Sequence, residues 1–303
     1  MVSPPYLNPG DKIAIVSPAR KVTKEEIQPS IDTLNRWEFE VVLGHNLYNS
    51  NHQFAGTDEE RIEDLQLMLD DNSIKAILCS RGGYGTARII DMLDFTKFVK
   101  SPKWIIGFSD ITALHSHIHT NLGIETLHAI MAINFSKCSA NALNSLKKAL
   151  SGEYISYKIP SHPLNRHGSA QGMLVGGNLS VLYSLRGTNS DINTNNKILF
   201  IEDLDEYLYH IDRMILNLSR GGLLESIKGL IIGGMTDMND NEIPFGKKAE
   251  EIIARAVKDF DFPVCFDFPA GHLENNSTLI LGRNAMLDVS VEDCNLVFMK
   301  NNV

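Results

Sequence analysis

"KWIIGFSDITALHSH", Lys103 to His117, decides the fold. Trp104-Ile105-Ile106 is a short apolar run, which predicts a buried strand. It stops at Gly107-Phe108-Ser109-Asp110, and a helical pattern follows. The same strand-to-helix alternation recurs through the first half of the chain. "KIAIVS" (Lys12 to Ser17), "EFEVVLG" (Glu38 to Gly44) and "IKAILCS" (Ile74 to Ser80) are further strands. A helical stretch ending near Trp37, interrupted or restarted at Pro29, separates the first two. "TDEERIEDLQLMLDD" is a helix that opens with a capping box, Thr57 at the N-cap and Glu60 at N3. "TARIIDML" is another. Continuous apolar strands alternating with helices predict a parallel sheet covered on both faces.

After about residue 150 the pattern changes. "SGEYISYKIPSHPLNRHGSAQG" is polar and carries prolines and glycines, the composition of a linker. Strands dominate beyond it: "GMLVGG", "KILFIED", "GLIIGG", "PVCFDF", "STLILG" and "AMLDVSV", with helical patterns near Tyr207 to Leu218 and Lys247 to Asp259. The "LGRNAM" turn suggests a hairpin between the last two strands. The expected organisation is an α/β domain over 1–150, a linker over 151–172 and a smaller β-rich domain over 173–303, with a cleft between them.

The bulk numbers exclude some functions. Lys and Arg number 28 against 37 Asp and Glu in 303 residues, a net charge of -9. That is not the basic footprint a nucleic-acid surface needs. No apolar run approaches the ~18 residues of a membrane span. "MVSPPYLNPGDK" has neither a basic n-region nor an apolar h-region, so a cytoplasmic site is expected. Cys79, Cys138, Cys265 and Cys294 form no C-x-x-C pair and predict free thiols, three of them in apolar runs.

Ligands of open parallel sheets bind outside the carboxyl ends of the strands. Ser109 is predicted at such an end, with the positive end of a helix dipole aimed at it. An oxyanion formed there could be held by the amide of Asp110. The competing reading is a simple helix cap. The local motif lacks the second glycine of G-x-S-x-G, since Ile111 stands in its place. "SRGGYGTAR" (Ser80 to Arg88) is a second strand-end loop. Its glycines let a backbone approach a ligand: a nucleotide phosphate, although no P-loop lysine is present, or an oxyanion opposite Ser109. "KILFIEDLDEYLYHIDRMI" ends a strand on Glu202-Asp203. One acid would cap the next helix and leave the other free to orient a histidine. His272, in "FPAGHLENNSTLILG", lies on a loop between rigid elements, where functional residues collect. His115, His117 and His119 invite a metal reading. Only His115 and His119 share a helix face, with no H-E-x-x-H pattern, so no metal is expected.

Together, "LNPGDKIAIVSPA", "SRGGYGTARIID", "IIGFSDITALH", "GGNLSVLYSLRGT", "LFIEDLDEYLYHIDRMI" and "AGHLENNSTLILG" resemble, in order and spacing, the LD-carboxypeptidase family of serine peptidases. The resemblance runs from about Pro9 to Leu287. It implies an α/β N-terminal domain and a β-rich C-terminal one. It implies Ser109 as nucleophile, Glu202 as triad acid and His272 as base, with backbone amides of Asp110 and Gly83 as the oxyanion hole. The implied reaction removes a C-terminal D-alanine from cell-wall (murein) tetrapeptides in the cytoplasm, without a cofactor. Relatives are often homodimers. Arg81 and Arg186 are both candidates for the terminal carboxylate, because a guanidinium fork fits one. The chain departs from many relatives at Ala129-Ile130, where they carry Gly-Pro, which bears on the substrate pocket near His128. Two other functions compete: cleavage of peptide-nucleotide antibiotics by the same triad, and ligand binding without catalysis between two lobes.

Overall fold

The computed structural model describes residues 1–300. The first half forms strands β1 (Lys12–Val16), β2 (Glu40–Leu43), β3 (Ile74–Cys79), β4 (Trp104–Gly107) and β5 (Thr126–His128). Helices α1 (Lys24–Arg36), α2 (Asp58–Asp70), α3 (Thr86–Ile89), α4 (Thr96–Lys100), α5 (Thr112–Asn121) and α6 (Ala140–Ser151) accompany them. These five strands are parallel, as their unbroken apolar runs predict. Helix α1 is continuous through Pro29 rather than restarted there. Its start is fixed by a capping box between Thr23 and Glu26. The expected box at Thr57 and Glu60 opens α2.

The second half forms β6 (Ser156–Pro160), β7 (Gly168–Asn178), α7 (Leu179–Ser184), β8 (Lys197–Leu204), α8 (Leu208–Arg220), β9 (Gly229–Thr236), α9 (Ala249–Ala256), β10 (Val264–Cys265), β11 (Leu279–Leu281), β12 (Asn284–Val289) and β13 (Asp293–Phe298). Seven of its strands make one mixed sheet in the order β10-β9-β8-β7-β12-β13-β6. The β7 to β10 half is parallel, with helices as crossovers. The other half is antiparallel.

Two expectations need correction. The stretch 151–172 is not a linker, because it supplies β6 and the first part of β7. Its prolines mislead. Pro160 ends an edge strand paired only with β13, and an edge is where a sheet tolerates proline. The "LGRNAM" turn does not close a hairpin either. Strand β12 pairs with β7 and β13, while β11 leaves its own half and joins β5 antiparallel at the edge of the first sheet. Arg283, in that turn, is buried against Glu125 and also reaches Ser3 and Tyr6, which fixes the crossing. One apolar core runs through both sheets, from Ile13, Trp104 and Leu127 to Phe200, Ile231 and Phe268. Cys79, Cys265 and Cys294 are buried free thiols. No helix of the described residues is long and apolar enough to cross a membrane.

Candidate active site

The β4 strand delivers Ser109 in an unusual backbone state. Its φ is +62°, a left-handed conformation that costs a residue with a side chain roughly 1–3 kcal/mol and clusters at functional sites. The turn is sharp because nothing stands between Gly107 and Ile111. A Cβ on Gly107 would lie 2.8 Å from Ile111 Cγ1. The isoleucine that replaces the second elbow glycine therefore packs on the first. Ser109 is half-buried and caps nothing: the turn Ser109–Ile111 and α5 both begin without a side-chain cap. The Asp110 carboxylate instead accepts the Thr86 N–H at 2.8 Å, which ties this turn to the "RGGYG" loop.

That loop closes on the serine. A Cβ at Gly82 would stand 3.2 Å from Ser109 Oγ and 3.3 Å from the Asp110 nitrogen. It is thus Gly82, rather than the Gly83 named for the oxyanion hole, that touches the serine. Gly83 follows at φ +107°, with its outer face on Arg20.

The two acids of β8 point opposite ways, as neighbouring strand residues must. Glu202 is fully buried, and its Oε2 lies 2.7 Å from His272 Nδ1 and 3.2 Å from the His272 backbone nitrogen. Asp203 accepts from Asn178 Nδ2, the Ser180 amide and its neighbour Leu204 N–H. So Asp203 serves the start of α7, and neither acid caps α8, contrary to expectation. Burial and the adjacent Glu202 push the Asp203 carboxyl up to about 7.

His272 comes to the Ser109 turn, at Phe108, by way of the strand exchange. Its loop leaves the second sheet after β10 and enters the first sheet at β11, next to β5 and one strand from β4. Its ring packs on Phe108, the residue before Ser109, with centroids 4.8 Å apart. No hydrogen bond joins Ser109 to His272 among the described residues; such bonds commonly tighten only with substrate in place. Burial would lower the imidazole pKa, but the Glu202 carboxylate and its hydrogen bond, helped by Asp203, outweigh it and hold the pKa above the ordinary value. His272 opens on a cleft of about 540 Å³ lined by Phe108, Asn134, Lys137, Leu204, Asp237 and Glu274 among others.

The remaining candidates separate. Arg81 is half-buried beside Gly82 and makes no ion pair among the described residues. Arg186 is engaged elsewhere, 3.7 Å from Asp191 and donating to the Gly221 carbonyl. His128 does not line the cleft. It is fully buried between Phe108 and Phe200, with both ring nitrogens unpartnered, and burial pushes its pKa well down. His115 and His119 hydrogen-bond separately to the Gly107 carbonyl and Thr126.

The chain matches the LD-carboxypeptidase N-terminal domain over residues 13–129 and the LD-carboxypeptidase C-terminal domain over 171–287. It is 34% identical, over 95% of its length and 92% of the relative's, to a probable murein peptide carboxypeptidase of Bacillus subtilis (strain 168). The crystal structure of a muramoyltetrapeptide carboxypeptidase from Oxalobacter formigenes superposes with a TM-score of 0.87 at 28% identity, covering 95% of this chain and 99% of that one. The microcin C7 self-immunity protein shares the fold at 21% identity, with a TM-score of 0.87 over 97% and 98% of the two chains. With a positive-φ serine after a parallel strand and a Glu202–His272 pair in place, these matches decide the assignment: the chain belongs to the LD-carboxypeptidase family of serine peptidases.

Proposed function

We propose that the chain is a serine carboxypeptidase that removes the C-terminal D-alanine from murein tetrapeptides through an acyl-enzyme. The observation that carries this reading is the 2.7 Å contact between buried Glu202 and His272, beside a serine held at φ +62°. His272 Nε2 takes the proton of Ser109 as Oγ attacks the carbonyl of the penultimate residue. Glu202 accepts the Nδ1–H, which leaves Nε2 as the basic nitrogen and stabilises the imidazolium. The amides of Asp110 and Gly83 hold the oxyanion, and one such donor is worth about 3 kcal/mol. His272 then protonates the departing D-alanine amine, and water releases the acyl group. The relatives' names support murein peptides as substrate. The reaction needs no cofactor in this scheme.

The test is mass spectrometry of L-Ala-γ-D-Glu-meso-diaminopimelate-D-Ala incubated with the protein and with Ser109→Ala. Loss of D-alanine with the wild type alone is expected. No loss with either folded protein would overturn the reading and favour a peptide-nucleotide substrate. A cytoplasmic site and a homodimer belong to the same proposal, to be checked by cell fractionation and sedimentation.

A further inference from the structure

We propose that Arg20 receives the terminal carboxylate of the departing residue. This rests on the carboxypeptidase reading above and assigns a subsite to it. Arg20 follows β1, whose carboxyl end lies beside that of β3 and its "RGGYG" loop, so it stands where ligands of parallel sheets collect. Its side chain lies across Gly83. A Cβ there would stand 2.4 Å from Arg20 Cδ, 2.7 Å from Nε and 2.9 Å from Cγ. The preceding Gly82 has the Ser109 hydroxyl and the Asp110 amide against it. The arginine stem and the serine thus abut consecutive residues of one loop, whose Cα atoms are about 3.8 Å apart. In a terminal residue the free carboxylate sits about one residue beyond the scissile carbonyl, the same order of separation.

Charge supports the same assignment. Arg20 is exposed and has no ion pair or hydrogen bond from its guanidinium among the described residues. The other arginines near this loop are occupied: Arg61 and Arg88 share Asp58. A guanidinium with no protein partner, on a stem that lies along Gly83, is left available to a ligand. Its fork suits a carboxylate. Arg81, on the same loop, is the control.

The test compares kcat/KM for the stem tetrapeptide with a free C-terminal carboxylate and for the same peptide ending in a carboxamide. The wild type is expected to prefer the acid. Arg20→Ala should lower kcat/KM on the acid by about 10- to 100-fold, the range of a charged hydrogen bond, and leave the amide within about twofold. Arg20→Lys should fall between, since it keeps the charge without the fork. Arg20→Gln serves if the alanine variant does not fold. Equal losses on both peptides, an unchanged preference, or a preference abolished by Arg81→Ala instead would overturn the assignment of Arg20. A wild type that cleaves neither peptide would overturn the carboxypeptidase reading together with it.

Discussion

Gly271→Ala tests whether the buried carboxylate truly positions the imidazole. Gly271 sits at φ +108°, and an added Cβ would lie 2.6 Å from Glu202 Oε2 and 2.8 Å from its Cβ and Cγ. Ordinary contact begins near 3.4 Å, so something must move by about 0.8 Å. The main chain of Glu202 cannot easily yield, because β8 is held between β7 and β9. The carboxylate or the 270–272 loop must shift instead. Either movement stretches the 2.7 Å contact to His272 toward the limit of a hydrogen bond. The backbone strain alone costs roughly 1–3 kcal/mol.

A misplacement approaching 1 Å can cost about 10²-fold in rate. The expected result is therefore a fall of that order in kcat/KM for D-alanine release, with a lower melting temperature but a cooperative fold. Steady-state kinetics and thermal melting read the two effects separately. A folded variant with kcat/KM within about threefold of wild type would refute the reasoning, since the clash falls directly on the Glu202 carboxylate.

Two further changes probe the charges. Glu202→Gln removes the group that lifts the His272 pKa and leaves the burial that lowers it; because the neutral imidazole is the base in the proposed mechanism, the acid limb of the kcat/KM profile should move to lower pH while the rate falls, and an unmoved limb would count against this pairing. The buried histidines should make the fold acid-sensitive: burial holds His115 at about 4 and pushes His119 and His128 well down. The unfolded chain takes up their protons near pH 6.5 and the folded one does not, so stability is complete above that value and drains as pH falls toward 4. His128→Leu should flatten this loss and stabilise the protein at pH 5, where two unpartnered ring nitrogens are removed from the core; urea unfolding at pH 7 and pH 5 that gives equal losses for wild type and variant would contradict it.

Much of this architecture is written locally in the chain. Apolar runs, capping boxes and strand-end polar residues marked the parallel sheet, Ser109, Glu202-Asp203 and the His272 loop. The division of labour between the two acids was also accessible, since strand residues alternate faces and only one of the pair could meet the histidine. Other features leave no local trace. "LIL" is equally apolar in either sheet, so nothing in Leu279–Leu281 announces that β11 pairs with β5. Pro160 signals a break, although an edge strand accommodates it. The positive φ of Ser109 is invisible because only glycine advertises that conformation. Arg20 carries no motif, and its meaning comes from Gly83, far along the chain.

The glycines show why so much of the site depends on tertiary contact. Gly82 lies against Ser109, Gly271 against Glu202, and Gly177 against Thr112 at the head of α5. In each case a missing side chain lets the backbone of one strand end touch a site residue, or its immediate support, from another. At Gly177 the contact also crosses between the two halves of the chain, and Thr112 Oγ1 accepts the neighbouring Asn178 N–H at 3.0 Å. That bond fastens the helix after Ser109 to the strand beside Glu202, while β11 carries the His272 loop back to the first sheet. Two separate cores joined by a hinge would let serine and histidine drift by more than a hydrogen bond tolerates. A shared core, an exchanged strand and close glycine contacts restrict that freedom, so the placement of the Ser109 turn relative to the His272 loop is built into the packing of the two sheets.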